Sequence, residues 1–207
     1  NEINSFYQNY ARNNYGRKSF LELEFEKQYL SLMIPAVRNT KNEQAAKKRY
    51  AGLMEKEGKE EVEIVGLEAI RGDWTEAAGD FQKELLLKVF KKEPVEQFIK
   101  EYVKKLTLGK MDDKLIYRKS IRKELEEYTK TTPPHVKAAR QLDKLDSNII
   151  QYYITKAGPE PLQKLKHKID YEHYIKKQIA PIANQVLFLF GKNFEDIIKN
   201  SKQKTLF

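Results

Sequence analysis

The sequence predicts an α+β fold: a short antiparallel β segment followed by a mainly helical domain. Three observations predict it. Apolar and charged residues alternate in the first third of the chain, helical i, i+3, i+4 stripes take over from Trp74, and turn residues punctuate the segments between. The 207 residues are 40% hydrophobic and 33% charged, which is a globular composition with more charge than the usual ~25%.

Taken in order, Ile3, Phe6, Tyr7 and Tyr10 mark a helix through residue 15, with Gly16 as its stop. Leu21, Leu23 and Phe25 then alternate with Glu22, Glu24 and Glu26, which places the apolar set on one face of a strand. Tyr29 to Val37 is a second apolar stretch, and the aperiodic Arg38 to Ala46 reads as a loop. Lys47 to Leu53 and Glu61 to Gly66 form a hairpin around the polar stretch Glu55 to Glu60. Ala78, Phe81, Leu85 and Val89 stripe one helix, capped by Thr75. Val95, Phe98, Tyr102 and Leu106 stripe the next, which starts at Pro94 and ends at Gly109. Leu115 to Ile121 is β-like. Pro133-Pro134 opens a helix from His135 to about Leu145, and Ile149 to Thr155 is β-rich. After a turn at Gly158-Pro159-Glu160-Pro161, a helical pattern runs from Asp170 to Phe190, and Pro181 predicts a break in it. The last eight residues are polar and end in Leu206-Phe207, a tail with two apolar residues at its tip.

The chain contains no cysteine, which excludes a disulfide scaffold, a thiol nucleophile and a Cys-ligated metal, and suits a reducing cytoplasm. No apolar run approaches the ~18 residues of a membrane span. The histidines His135, His167 and His173 have no zinc-binding spacing, and there is no Gly-rich phosphate loop. Asp112-Asp113, an adjacent acidic pair after Gly109, reads as a solvated turn.

The cations are more informative. The formal net charge is +9, which fits either a polyanionic partner or a solubility device. Lys47-Lys48-Arg49-Tyr50 sets three cations and an aromatic on a strand. Between Lys114 and Arg140 stand Lys114, Arg118, Lys119, Arg122, Lys123, Lys130, Lys137 and Arg140, against the acids Glu124, Glu126 and Glu127. Such cations displace counterions from a phosphate backbone; a solvated charged face is the plainer alternative.

These blocks resemble a known family. Lys47-Lys48-Arg49-Tyr50-Ala51-Gly52-Leu53, then Gly66-Leu67-Glu68-Ala69-Ile70-Arg71-Gly72-Asp73-Trp74, resemble the palm segment just downstream of the catalytic aspartates in family B DNA polymerases. Tyr117-Arg118-Lys119, Glu127-Tyr128 and Pro134-His135-Val136-Lys137-Ala138-Ala139-Arg140 are similar to that family's thumb, as are Asp170-Tyr171-Glu172-His173-Tyr174 and Gln178-Ile179-Ala180-Pro181. Gly158-Pro159-Glu160-Pro161-Leu162 resembles the bacterial DNA polymerase II branch, and the Cys-rich domain of the eukaryotic enzymes is absent.

The resemblance implies residues 1–73 as the end of the palm, 74–199 as the thumb and 200–207 as a flexible clamp-binding tail. It implies a piece of a longer DNA-directed DNA polymerase, a bacterial and cytoplasmic nucleotidyltransferase of replication or repair, monomeric and without a membrane partner. The parent's magnesium ions (Mg2+) would sit on an upstream Asp-Thr-Asp turn that this sequence lacks, so the chain alone is expected to carry no cofactor and no catalytic residue. Its partner would be primer-template duplex DNA. Lys48 would donate to the minor-groove acceptors that recur in every base pair, and Tyr50 would steady the primer backbone. Arg49 belongs to the same motif. Arg71 pairs with Asp73 or meets phosphate directly. Arg118, Lys119, His135, Lys137 and Arg140 would hold the duplex backbone, aided by the dipole of the helix starting at His135. Trp74 and Tyr128 read as core. Gln203, Leu206 and Phe207 resemble the short peptide that hooks bacterial polymerases onto the sliding clamp, although Lys204 stands where leucine is common; the alternative is a tail that folds back on the thumb. The rival reading of the whole chain is a non-enzymatic basic nucleic-acid-binding module.

Overall fold

The computed structural model describes residues 2–35 and 46–199. It opens on helix α1 (Glu2–Tyr15), stopped at Gly16, whose N–H donates to the Arg12 carbonyl at 3.0 Å. The expected apolar stripe is present but faces solvent: Ile3, Phe6, Tyr7 and Tyr10 are all exposed.

The strand expected at Leu21 to Phe25 does not form. Leu23 instead exchanges both backbone groups with the side chain of Asn4: its N–H donates to Oδ1 at 2.8 Å and its carbonyl accepts from Nδ2 at 2.9 Å. One side-chain amide can satisfy one residue, but a ladder needs a second extended backbone, and none among the described residues runs alongside. Leu21, Leu23 and Phe25 therefore stay exposed.

The first sheet contains β1 (Ser31–Met33), β2 (Tyr50–Lys56) and β3 (Lys59–Val65), antiparallel and in that order. The hairpin is tighter than the sequence predicts. Only Glu57 and Gly58 lie outside the ladder, at φ 52 and 74. Two left-handed residues make the mirror-image turn whose twist matches the strands it joins, so Glu55 and Glu60 sit in the ladder rather than in the loop.

Helices α2 (Glu76–Phe90) and α3 (Val95–Thr107) follow as expected. Thr75 caps α2, its hydroxyl accepting from the Ala78 N–H. Ala78, Phe81 and Leu85 are buried, and Phe81 stacks on Phe98 of α3 at 5.5 Å. A second antiparallel sheet then forms in the order β4 (Tyr117–Ser120), β5 (Ile149–Thr155), β6 (Gly158–Pro161). The Gly158-Pro161 segment is thus an edge strand and not a turn. Pro159 and Pro161 have no N–H to offer, and an edge position tolerates that loss. Helix α4 (Pro134–Ala139) sets Ala138 and Ala139 against Ile150 and Tyr152, and ends well before Leu145.

The long closing pattern is helical throughout. Helix α5 (Tyr171–Tyr174) passes through a π-helical stretch at Ile175–Ile179 into α6 (Ala180–Leu187). The widened turn directly precedes Pro181 and accommodates its missing N–H, so the expected break becomes a local unwinding. A final helix that the sequence reading missed, α7 (Phe194–Lys199), starts on Asn193, whose Oδ1 accepts from the Asp196 N–H at 2.9 Å. One continuous core joins Ala51 and Leu67 to Phe81, Ile99, Tyr153, Tyr174, Ile182 and Leu187. It fixes the first hairpin against the helices and the second sheet. No helix among the described residues is long and apolar enough to cross a membrane.

Candidate nucleic-acid interface

The Lys-Lys-Arg-Tyr motif is not a uniform strand. Lys47 and Lys48 occupy an exposed turn before β2, and Lys48 adopts φ 57. The expectation of Lys48 on a strand is therefore corrected. The turn is held from across the hairpin. Gly66, at φ 64, sits so close that a Cβ there would fall within 3.0 Å of the Lys48 carbonyl oxygen. Any larger residue at 66 would push this turn outward.

Arg49 points the other way. Its Nη2 donates to Oε1 of Glu68 at 2.8 Å, and Glu68 is fully buried. Oε2 of Glu68 accepts from Nε2 of Gln82 at 3.1 Å, and Oε1 of Gln82 accepts from the Ala69 N–H at 2.6 Å. This chain of bonds ties β2 to α2. Tyr50 starts β2 half-buried, with its ring edge-on to Tyr29 at 5.9 Å.

Arg71 and Asp73 form a bidentate pair, Nε to Oδ1 at 3.0 Å and Nη2 to Oδ2 at 2.8 Å. The Arg71 hydrogen bond holds the Asp73 carboxyl below its usual range, with a smaller contribution from the charge of Lys119. Arg118 and Lys119 are exposed on β4, and Lys137 is exposed on α4. His135 is half-buried, and burial together with the nearby Lys119 charge lowers its pKa from 6.5. Arg140 is a brace: Nη2 donates to the carbonyls of Leu125 at 2.8 Å and Tyr128 at 3.3 Å, pinning the loop that leads to α4. The expected dipole at His135 is weak. Helix α4 has only six residues, and its Val136 and Lys137 N–H groups already donate to the Pro133 carbonyl.

Electrostatic neighbours therefore connect the two halves of the chain. Glu68 pairs with Arg49 and acts on Arg71, Arg71 bonds Asp73, and Lys119 acts on both Asp73 and His135. Trp74 packs against the core, as expected, and the Tyr128 hydroxyl accepts from the Arg122 N–H. Sequence reasoning missed Glu68, Gln82, Glu63 and Tyr29. A carboxylate between the apolar Leu67 and Ala69 was the available signal for the first. Gln203, Leu206 and Phe207 lie outside the described residues.

Among the described residues no three His, Asp or Glu side chains are grouped to hold a metal ion. Asp112 instead accepts from the Tyr171 hydroxyl at 3.0 Å. These residues do not fit a divalent-ion centre. What the described residues offer is the exposed cations Lys48, Arg118, Lys119 and Lys137.

The sequence model of DNA polymerase family B matches residues 12–188. The chain is 38% identical over 191 residues to DNA polymerase II of Escherichia coli (strain K12), covering 87% of this chain and 24% of that one. It is 32% identical over 178 residues to DNA polymerase 2 of Aeropyrum pernix, covering 78% and 22%. Its fold is similar to the family B DNA polymerase of the hyperthermophilic archaeon Pyrobaculum calidifontis, with a TM-score of 0.60 and 28% identity over 87% of this chain and 24% of that one. The chain thus spans about a quarter of the length of these relatives. Ordered identity along almost its whole length, on a matching fold, places it: the chain belongs to DNA polymerase family B, on the bacterial DNA polymerase II branch.

Proposed function

We propose that this chain is the palm-end and thumb portion of a DNA-directed DNA polymerase and that it grips primer-template duplex without sequence preference. Residues 1–73 would close the palm and 74–199 would form the thumb. Lys48, on its turn, would donate to minor-groove acceptors near the primer terminus, and Tyr50 would steady the primer backbone. Arg118, Lys119 and Lys137 would neutralise phosphates, and Arg71 would join them while held by Asp73. Arg49 and Arg140 are braces in this reading, because each already serves protein acceptors. The magnesium ions of such an enzyme would sit on carboxylates outside these residues, and the tail at 200–207 would tether the enzyme to its sliding clamp. A free-standing basic module would not need family identity in sequence order along the chain.

The observation that carries this reading is the connected line of charges that starts at Arg49, next to the exposed Lys48, and runs through Glu68, Arg71 and Asp73 to Lys119 and His135. The test is duplex binding by the 207-residue chain over a range of salt. Four phosphate-facing cations give a slope of log K against log salt of about −4, and shuffled duplexes bind equally. A flat salt response, or strong preference for one sequence, would overturn the reading.

A further inference from the structure

Lys27, Tyr29 and Glu63 form a cluster beside Tyr50 of the Lys-Lys-Arg-Tyr motif. Tyr29 lies across the first hairpin, where Gly52 of β2 pairs with Glu63 of β3. A Cβ on Gly52 would fall within 3.0 Å of three ring carbons of Tyr29, so the ring occupies the space a side chain would take. The Tyr29 hydroxyl donates to Oε2 of Glu63, and Nζ of Lys27 donates to Oε1 of the same carboxylate at 2.7 Å. The ring then meets Tyr50 edge-on at 5.9 Å and 70°. Burial and the bonds to Glu63 and Tyr50 push the Tyr29 phenol up, while the bonds from Lys27 and Tyr29 hold Glu63 down. The phenol thus stays protonated and the carboxylate charged, so the anchor persists at neutral pH.

We propose that Tyr29 is a positioning residue for the primer end: seated over Gly52 and anchored to Glu63, its ring fixes the rotamer of Tyr50. The inference rests on the reading of Tyr50 as a primer contact and goes beyond it. A tyrosine free to rotate at the strand start would lose conformational freedom on binding DNA, and a ring already packed against it removes that cost. Gly52 follows from the same geometry. It is required there because the ring needs the room, not because the backbone does.

The experiment is binding of a labelled duplex with a recessed 3′ end by the 207-residue chain, with a thermal melt on every variant. Tyr29→Ala should weaken binding about three- to tenfold, the range of an aromatic pair contact. Gly52→Ala, by displacing the ring, should do the same. In a Tyr50→Ala background neither change should have further effect, and Gly52→Ala should be harmless once Tyr29→Ala has emptied the slot. Tyr29→Phe, which keeps the ring but loses its bond to Glu63, should bind less well than the parent and better than Tyr29→Ala. If Tyr29→Ala melts below the assay temperature, Gly52→Ala and Tyr29→Leu carry the same cycle. Losses at 29 and 50 that multiply would assign Tyr29 a purely structural role and overturn the inference. If Tyr50→Ala itself leaves binding unchanged, the primer-end reading falls first and the inference with it.

Discussion

Arg49 and Glu68 form an ion pair at 2.8 Å in which the carboxylate is fully buried and the guanidinium about a quarter exposed. The pair divides the basic motif by role. Lys48 is presented outward on its turn while the adjacent Arg49 is spent on holding β2 to the helix behind it. A buried carboxylate that loses its cation is left with an uncompensated charge, which costs more than the pair contributed.

Arg49→Met should therefore destabilise the chain by about 2–4 kcal/mol in urea unfolding, with duplex affinity of the folded fraction changed less than about twofold. Reduced affinity at unchanged stability would return Arg49 to the DNA.

Gly66→Ala tests what supports the Lys48 turn. The residue sits at φ 64, and the added carbon would meet the Lys48 carbonyl. The left-handed backbone alone costs about 1–2 kcal/mol. The chain should lose at least that much in denaturant unfolding, and primer-end binding should weaken because the turn must move. An unchanged midpoint would show that the turn is not held from Gly66.

Histidine 135 gives a pH signature. Burial and Lys119 lower its pKa in the free chain, so it is largely neutral at pH 7. Duplex phosphates nearby would raise that pKa, so the complex binds more protons than the free protein. Affinity should then rise as pH falls from 7 through the region around and below 6.5, levelling off beneath the free-state value. His135→Gln should flatten that rise. For stability the sign is opposite: the unfolded imidazole takes its proton first, so this group costs stability as pH drops below 6.5. A pH-independent affinity would place His135 away from phosphate.

Local chemistry was legible where a segment's partners lie on its own element. The cap at Thr75 and the stripe through Ala78, Phe81 and Leu85 fix α2, and the β-branched, tyrosine-rich run from Ile149 to Thr155 fixes β5. Legibility failed where a distant partner decides. Leu21 to Phe25 has a strand's alternation but only the side chain of Asn4 to bond. Gly158 to Pro161 has a turn's composition, yet it pairs with β5 as an edge. The candidate site followed the same rule. The exposed cations Lys48, Arg118, Lys119 and Lys137 were readable as charge. The braces Arg49 and Arg140 were not, because their acceptors lie 19 residues away in one case and 12 and 15 in the other.

The most direct test compares one variant on two DNAs. In the 207-residue chain, Lys48→Ala should weaken binding to a duplex with a recessed 3′ end by about tenfold, the scale of one charge-assisted hydrogen bond lost. Binding to a blunt duplex of equal length should weaken only by the smaller amount expected for one fewer cation. Equal losses on the two DNAs would contradict the assignment of the Lys48 turn to the primer end.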